Sequence, residues 1–153
     1  MHIRSTGVTL ALCVLGAVVA LAADPQIGSW KLNEAKSKIT GMAKNNLVVY
    51  SMAGDNVKVA IDGQDGTGKA FHSEWTGKFD GKDYAVTGDP SSDMRAYKKI
   101  DDHTLSFVSK KGGKVTLSGK VVVAADGQSR TVTASGKDAA GNATTNTTVY
   151  DKQ

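Results

Sequence analysis

His103 directly follows Asp101 and Asp102, so three side chains able to ligate a metal stand in one short run. That run holds one imidazole only, and turns between strands collect Asp and His for conformational reasons alone. His72 alternates with Phe71 and Trp75 and therefore belongs to the opposite, solvent-facing side of its segment. Gly66-Thr67-Gly68-Lys69 lacks the full spacing of a phosphate loop and no helix follows it, so it reads as a hairpin turn. Asp62-Gly63-Gln64-Asp65-Gly66 lacks the third oxygen ligand and distant glutamate of a calcium loop. Asn142-Ala143-Thr144 and Asn146-Thr147-Thr148 match glycosylation acceptors inside a Thr-rich segment where such triplets arise by chance. Glu74, Asp83 and the remaining carboxylates form no recognisable acid/base pair, and no serine-nucleophile signature is present. The sequence thus assigns no catalytic residue, no metal ligand and no cofactor, and an enzyme is the least supported class.

What remains is a set of aromatic residues at strand spacing. Phe71, Trp75 and Phe79 share one face of a segment whose other face carries His72, Glu74, Thr76 and Lys78. Together with Tyr97, Phe107 and the cation Arg95 they would line a cavity for an apolar or amphipathic molecule. Arg95 or Lys98 would then meet its polar end. Ser51, Ala53, Ser73, Gly77 and Gly119 fall at expected inward positions, and such small residues leave room in an interior that otherwise packs to crystal density. The competing reading is that the same aromatics simply fill the core. Both stay open at this stage.

The elements that must position these residues are short and β-rich. Strands are expected near 28–32, 46–53, 56–62, 69–79, 82–87, 93–100, 103–110, 113–124, 129–137 and 142–151. Asp-Gly and Gly-Gly pairs between them supply the positive φ of tight hairpins. Val57, Val59 and Ile61 alternate with Lys58, Ala60 and Asp62, which gives one dry and one wet face. A meander this long leaves two free edges unless it closes, so a barrel is preferred to an open sheet. The 93–100 segment resists this pattern, because either phase carries charge inward unless a bulge intervenes. After the first strand, Asn33 is expected to cap a short helical turn over Glu34–Lys38, ended by Gly41.

Residues 1–22 read as a signal peptide. His2 and Arg4 precede an apolar run from Val8 to Ala22, and Ala20-Leu21-Ala22 offers small residues at the cleavage positions. The run is too short for a stable membrane anchor. Leu12 before Cys13 argues against lipidation, and without the leader no cysteine remains for disulfides or thiolate chemistry. Residues 23–153 form one domain. Removing Arg4 leaves 18 basic against 15 acidic residues, a net of +3. The lysines are scattered and not interleaved with aromatics, which favours a solvated surface over a nucleic-acid face.

Gly28-Ser29-Trp30 at the head of an antiparallel meander resembles the start of the lipocalin and fatty-acid-binding (calycin) superfamily. The longer run Gly28-Ser29-Trp30-Lys31-Leu32-Asn33 with Ala35-Lys36-Ser37-Lys38 is similar to a group of exported lipocalin-like proteins of soil bacteria. Tyr84-Ala85-Val86-Thr87-Gly88, Lys110-Lys111-Gly112-Gly113-Lys114-Val115 and Val149-Tyr150-Asp151-Lys152 fit the same group. That group carries no agreed activity. The resemblance implies that the Trp30 indole plugs one barrel end with a basic side chain, Lys152 or Lys137, packed across it. The chain departs from the kernel lipocalins in having Asp83-Tyr84 without the preceding threonine of their Thr-Asp-Tyr motif. Arg95-Ala96-Tyr97 lies mid-chain, away from the last-strand Arg-x-Tyr of fatty-acid-binding proteins.

The expectation is an all-β, up-and-down antiparallel barrel of 8–10 strands, exported to the periplasm or secreted, monomeric and free of cofactors. Its expected partner is a small hydrophobic or amphipathic molecule at Phe71, Trp75, Phe79, Arg95, Tyr97 and Phe107. The alternative is a structural or protein- or glycan-binding module with a filled barrel.

Overall fold

The computed structural model describes residues 23–153, so the expected leader over 1–22, with Cys13, lies outside the described residues. Ten strands follow in order: β1 Gly28–Lys38, β2 Lys44–Ala53, β3 Asn56–Gln64, β4 Ala70–Gly77, β5 Tyr84–Thr87, β6 Met94–Lys99, β7 Thr104–Lys111, β8 Lys114–Val123, β9 Ser129–Lys137 and β10 Ala143–Lys152. Each pairs antiparallel with its chain neighbour, and β1 also pairs with β10, which closes the barrel. All ten expected segments are present, displaced by a few residues at their ends.

The expected helical turn after the first strand is absent. Residues 34–38 belong to β1, which carries a wide bulge where Asn33 faces Val149 but Lys38 faces Thr147. Asn33 stitches this bulge and caps no helix. Its Oδ1 accepts the Lys36 N–H at 3.2 Å, its Nδ2 donates to Asp151 at 2.7 Å, and its carbonyl accepts the Ser37 hydroxyl at 2.7 Å. Ser37 Oγ in turn accepts the Val149 N–H at 2.9 Å, so backbone pairing to β10 continues through side chains. The local turn propensity was real, and closure of the barrel decided how it was used.

The phase of β6 is resolved as well. Arg95 and Tyr97 face inward while Lys98 and Lys99 are exposed, with no bulge in its pairing to β7. Ser51, expected inside, is exposed, because Val48 and Tyr50 take the inward phase of β2 and burial of the larger apolar surface sets the register.

The two barrel ends differ. At one, Trp30 is fully buried and its Nε1 donates to the Gln26 carbonyl at 2.9 Å. Gln26, 1% exposed, reaches the His103 carbonyl at 3.3 Å, so the segment before β1 folds under the barrel as a plug. Lys152 Nζ stands 5.2 Å from the Trp30 ring, as the resemblance implies for one of its two candidates, whereas Lys137 stands at the opposite end. Above the plug lies an aromatic cluster. Trp75 meets Tyr97 edge-on at 4.9 Å and Phe79 in a stack at 6.3 Å. Such pairs contribute about 0.5–1.5 kcal/mol beyond area burial.

Gly77 is what lets this cluster close. A Cβ there would fall 2.6 Å from the Tyr84 ring and 2.7 Å from Trp75 Cζ2. Gly77→Ala should therefore destabilise the barrel by about 1–3 kcal/mol through overpacking. Urea denaturation would read this as a lower midpoint; an unchanged midpoint would show that the cluster is looser than its geometry.

Candidate functional site

Toward the other end the barrel is hollow. A cavity of about 370 Å³ opens among the stretches 41–43, 65–67, 89–91 and 137–139, the connections at the end opposite the Trp30 plug. The reason lies in side-chain size. On β9 and β10 the inward positions at this level are Ala134, Asn146 and Thr148, and the neighbouring strand contributes Thr116 and Leu117. Gly119, expected to leave room, adds none to the cavity: a Cβ there would meet the Thr133 carbonyl at 2.0 Å and Phe107 Cζ at 2.8 Å, so the space its missing side chain frees is taken by the neighbouring strand and ring.

Four of the six expected site residues lie on this wall: Phe71, Arg95, Tyr97 and Phe107. Trp75 and Phe79 do not. They belong to the filled cluster nearer the plug, where the Trp75 Nε1 donates to the Arg95 carbonyl at 2.8 Å. Lys98 faces solvent and cannot serve as an internal anchor.

Arg95 is held by its own acceptors. Its Nη2 lies 2.8 Å from Asp89 Oδ2 and its Nε donates to Ser109 Oγ at 2.8 Å. Both side chains of the ion pair are 7% exposed. Burial works against ionisation of Asp89, but hydrogen bonds from Ser92 and Ser91 and the charge of Arg95 outweigh it and hold the carboxyl below its usual range. The pair ties the β5–β6 connection to the barrel wall and leaves this guanidinium no free charge to offer.

A second arginine escaped the sequence reading. Arg130 is 2% exposed and lines the same cavity. It follows the Asp126-Gly127 turn and looked like a polar strand end, yet it is in phase with Val132 and Ala134, the one signal that could have placed it inside. Its guanidinium carbon stands 4.8 Å from the centroids of Trp30 and Tyr50 and 5.1 Å from that of Tyr150. Contacts of this kind stabilise a cation by about 0.5–2 kcal/mol each. They do not satisfy its donors: Nε and Nη1 are buried without an acceptor. Leaving a buried donor unmet costs about 1–3 kcal/mol, more when it is charged. Burial raises the Tyr50 and Tyr150 hydroxyls against the pull of Arg130, so neither phenol becomes its counter-ion.

The remaining candidates are conformational. Asp101 Oδ1 accepts the His103 N–H at 2.9 Å, which makes Asp101-Asp102-His103 a hydrogen-bonded turn. On the outer face His72 Nδ1 lies 2.6 Å from Asp62 and its Nε2 3.5 Å from Glu74, and these bonds raise its pKa above the usual histidine value. Among the described residues no three His, Cys, Asp or Glu side chains converge as a metal site. Asn146 is 4% exposed and accepts the Thr40 N–H at 2.7 Å, so this acceptor triplet is closed to glycosylation in the folded chain. No protein-family model and no curated protein matches the chain.

Removing Asp89 would strand a buried cation. Asp89→Asn should cost about 3–5 kcal/mol at neutral pH. The native carboxyl has the lower pKa, so its stabilisation is complete above the ordinary value of 3.8 and is lost as pH falls through the native one. Thermal unfolding across pH should therefore show the gap between wild type and variant narrowing below about pH 4. A gap that stays constant into acid would remove Asp89 as its source.

Proposed function

We propose that the protein binds or carries a small hydrophobic or amphipathic molecule, non-covalently, inside a lipocalin-like barrel that acts as an exported monomer. The observation that carries this reading is the cavity of about 370 Å³, within the range of small-molecule sites and walled mainly by apolar and aromatic side chains. The filled cluster around Trp75 supports the plugged end as a scaffold and the open end as the place of entry.

The rival, a protein- or glycan-binding module, needs an exposed apolar patch or a free strand edge. Among the described residues the large exposed apolar side chains are Met52, Ile100, Val115 and Val122, spread over β2, β8 and a turn. Every strand is paired on both sides. Both features favour the interior over the surface.

Native mass spectrometry of the mature protein, purified from its exported fraction without detergent, tests the reading. A reproducible extra mass that is lost on denaturation is expected. In a companion measurement, Ala134→Phe should fill the cavity from β9 and weaken uptake of an apolar fluorescent probe by roughly tenfold or more while the barrel stays folded. Bare protein that also ignores the probe would sink the carrier reading.

A further inference from the structure

We infer that the Asn146 side-chain amide donates a hydrogen bond to the cavity's occupant, and that the occupant is an uncharged amphiphile bearing a carbonyl oxygen: a ketone, ester or amide. The carbonyl sits on the mouth side and the apolar body points down toward the plug. This rests on the reading of the cavity as a ligand site and adds the polarity and orientation of what enters it.

The way the Asn146 amide is turned carries the inference. Its Oδ1 accepts the backbone N–H of Thr40 at 2.7 Å. A backbone N–H only donates, so the amide oxygen must face Thr40 and the Nδ2 group must face away from it. Nδ2 brings two N–H donors, and neither finds an acceptor among the described residues. Unlike the sealed Nε and Nη1 of Arg130, Nδ2 keeps accessible surface, and Asn146 is part of the cavity wall although only 4% exposed. One end of a buried amide is thus satisfied and the other lacks an acceptor.

The neighbours leave space before it. Asn146 pairs with Ala134 on β9, a single methyl group, and the wall beyond carries Ile61, Phe71 and Phe107. Thr40 belongs to the β1–β2 connection at the mouth, whereas Tyr150, two inward steps further along β10, pairs with Arg130 near the plug. An occupant therefore enters apolar end first and stops where its oxygen meets Nδ2. A charge is not called for. Arg95 is already paired with Asp89, so an anion at this depth would lose hydration without reaching a free counter-ion. A hydrocarbon would leave the amide unmet.

Butyrophenone and butylbenzene share a skeleton and differ by one carbonyl oxygen, and they form the test. Water solvates the ketone better, so a cavity without a waiting donor takes up the hydrocarbon more tightly. Displacement of an apolar fluorescent probe from the wild-type protein should instead show the ketone binding at least as tightly. Asn146→Asp keeps an oxygen for Thr40 and replaces the donor by an acceptor. At about pH 8, well above the usual carboxyl range, it should weaken butyrophenone roughly fivefold or more and leave butylbenzene nearly unchanged. In NMR spectra of the wild type, the Asn146 side-chain amide protons should move downfield with butyrophenone and not with butylbenzene. Clearly tighter binding of the hydrocarbon to wild type overturns the donor while the cavity reading stands. So does ketone binding indifferent to Asn146→Asp, or an Asn146 resonance that responds alike to both probes. Binding of neither probe overturns the cavity reading and the donor with it. Should Asn146→Asp fail to fold, the wild-type comparison and the Asn146 resonance decide alone.

Discussion

The ladder between β1 and β10 is the interaction on which the rest of the structure depends. A meander of ten strands has two edges with unmet backbone donors and acceptors, and pairing Trp30 with Lys152 through to Asn33 with Val149 removes both at once. Closure also sets a requirement. The ring now has a fixed interior, and the chain must divide that volume between side chains and space. It does so unevenly. Two Trp, four Tyr and three Phe are all the aromatics available. Trp75, Phe79, Tyr84 and Tyr97 are spent on one cluster. Small residues such as Ala134 and Thr148 take the positions beyond it, and the cavity follows from that division.

Closure also buries two guanidinium groups, and the barrel treats them differently. Around Arg95 the loop residues Asp89 and Ser92 supply acceptors, so charge and hydrogen bonds are balanced locally. Around Arg130 the barrel supplies three aromatic faces, which balance much of the charge and none of the directional bonding. Buried polar groups in native proteins are nearly always hydrogen-bonded, so the Arg130 donors are an exception for which the three rings compensate only in part.

Strand positions and faces were legible in the sequence because period-two alternation and Gly or Asp turns are local signals. Phe71, Tyr97 and Phe107 could be placed on the wall for that reason, Arg95 only as one of two open phases of its strand. Trp75 and Phe79 share the face of Phe71 but not its height along the barrel axis, and alternation carries no information about height. The bulge at Asn33 was read as a helical turn because Asn33 and Ser37 favour both, and only the distant Val149 and Asp151 select between them. Arg130 was missed for a related reason. A charged residue beside a turn is ordinarily solvated, and only pairing with Tyr150 and Val123 carries it inside.

The mouth of the cavity is built by one repeated device. Asp65 Oδ1 accepts the N–H of Thr67 and Lys69, Asp89 Oδ1 accepts that of Ser91, and Asp138 Oδ1 accepts those of Ala140 and Asn142. These hydrogen bonds favour the charged carboxylates, and all three have pKa values below the usual range. These three connections are therefore each closed on an aspartate of their own, and Asp89 adds the ion pair to Arg95. Thr40 adds the fourth link by bonding Asn146 on β10, which fixes the β1–β2 connection and brings Met42 against the rim. Under the proposed carrier reading, a rim ordered in advance would spare an incoming molecule the entropy of ordering it, so more of the apolar contact below would be expressed as affinity. Of the three carboxylates, Asp89 is neutralised by Arg95, and Lys137 stands beside Asp138 at the opening, so the rim carries both signs of charge.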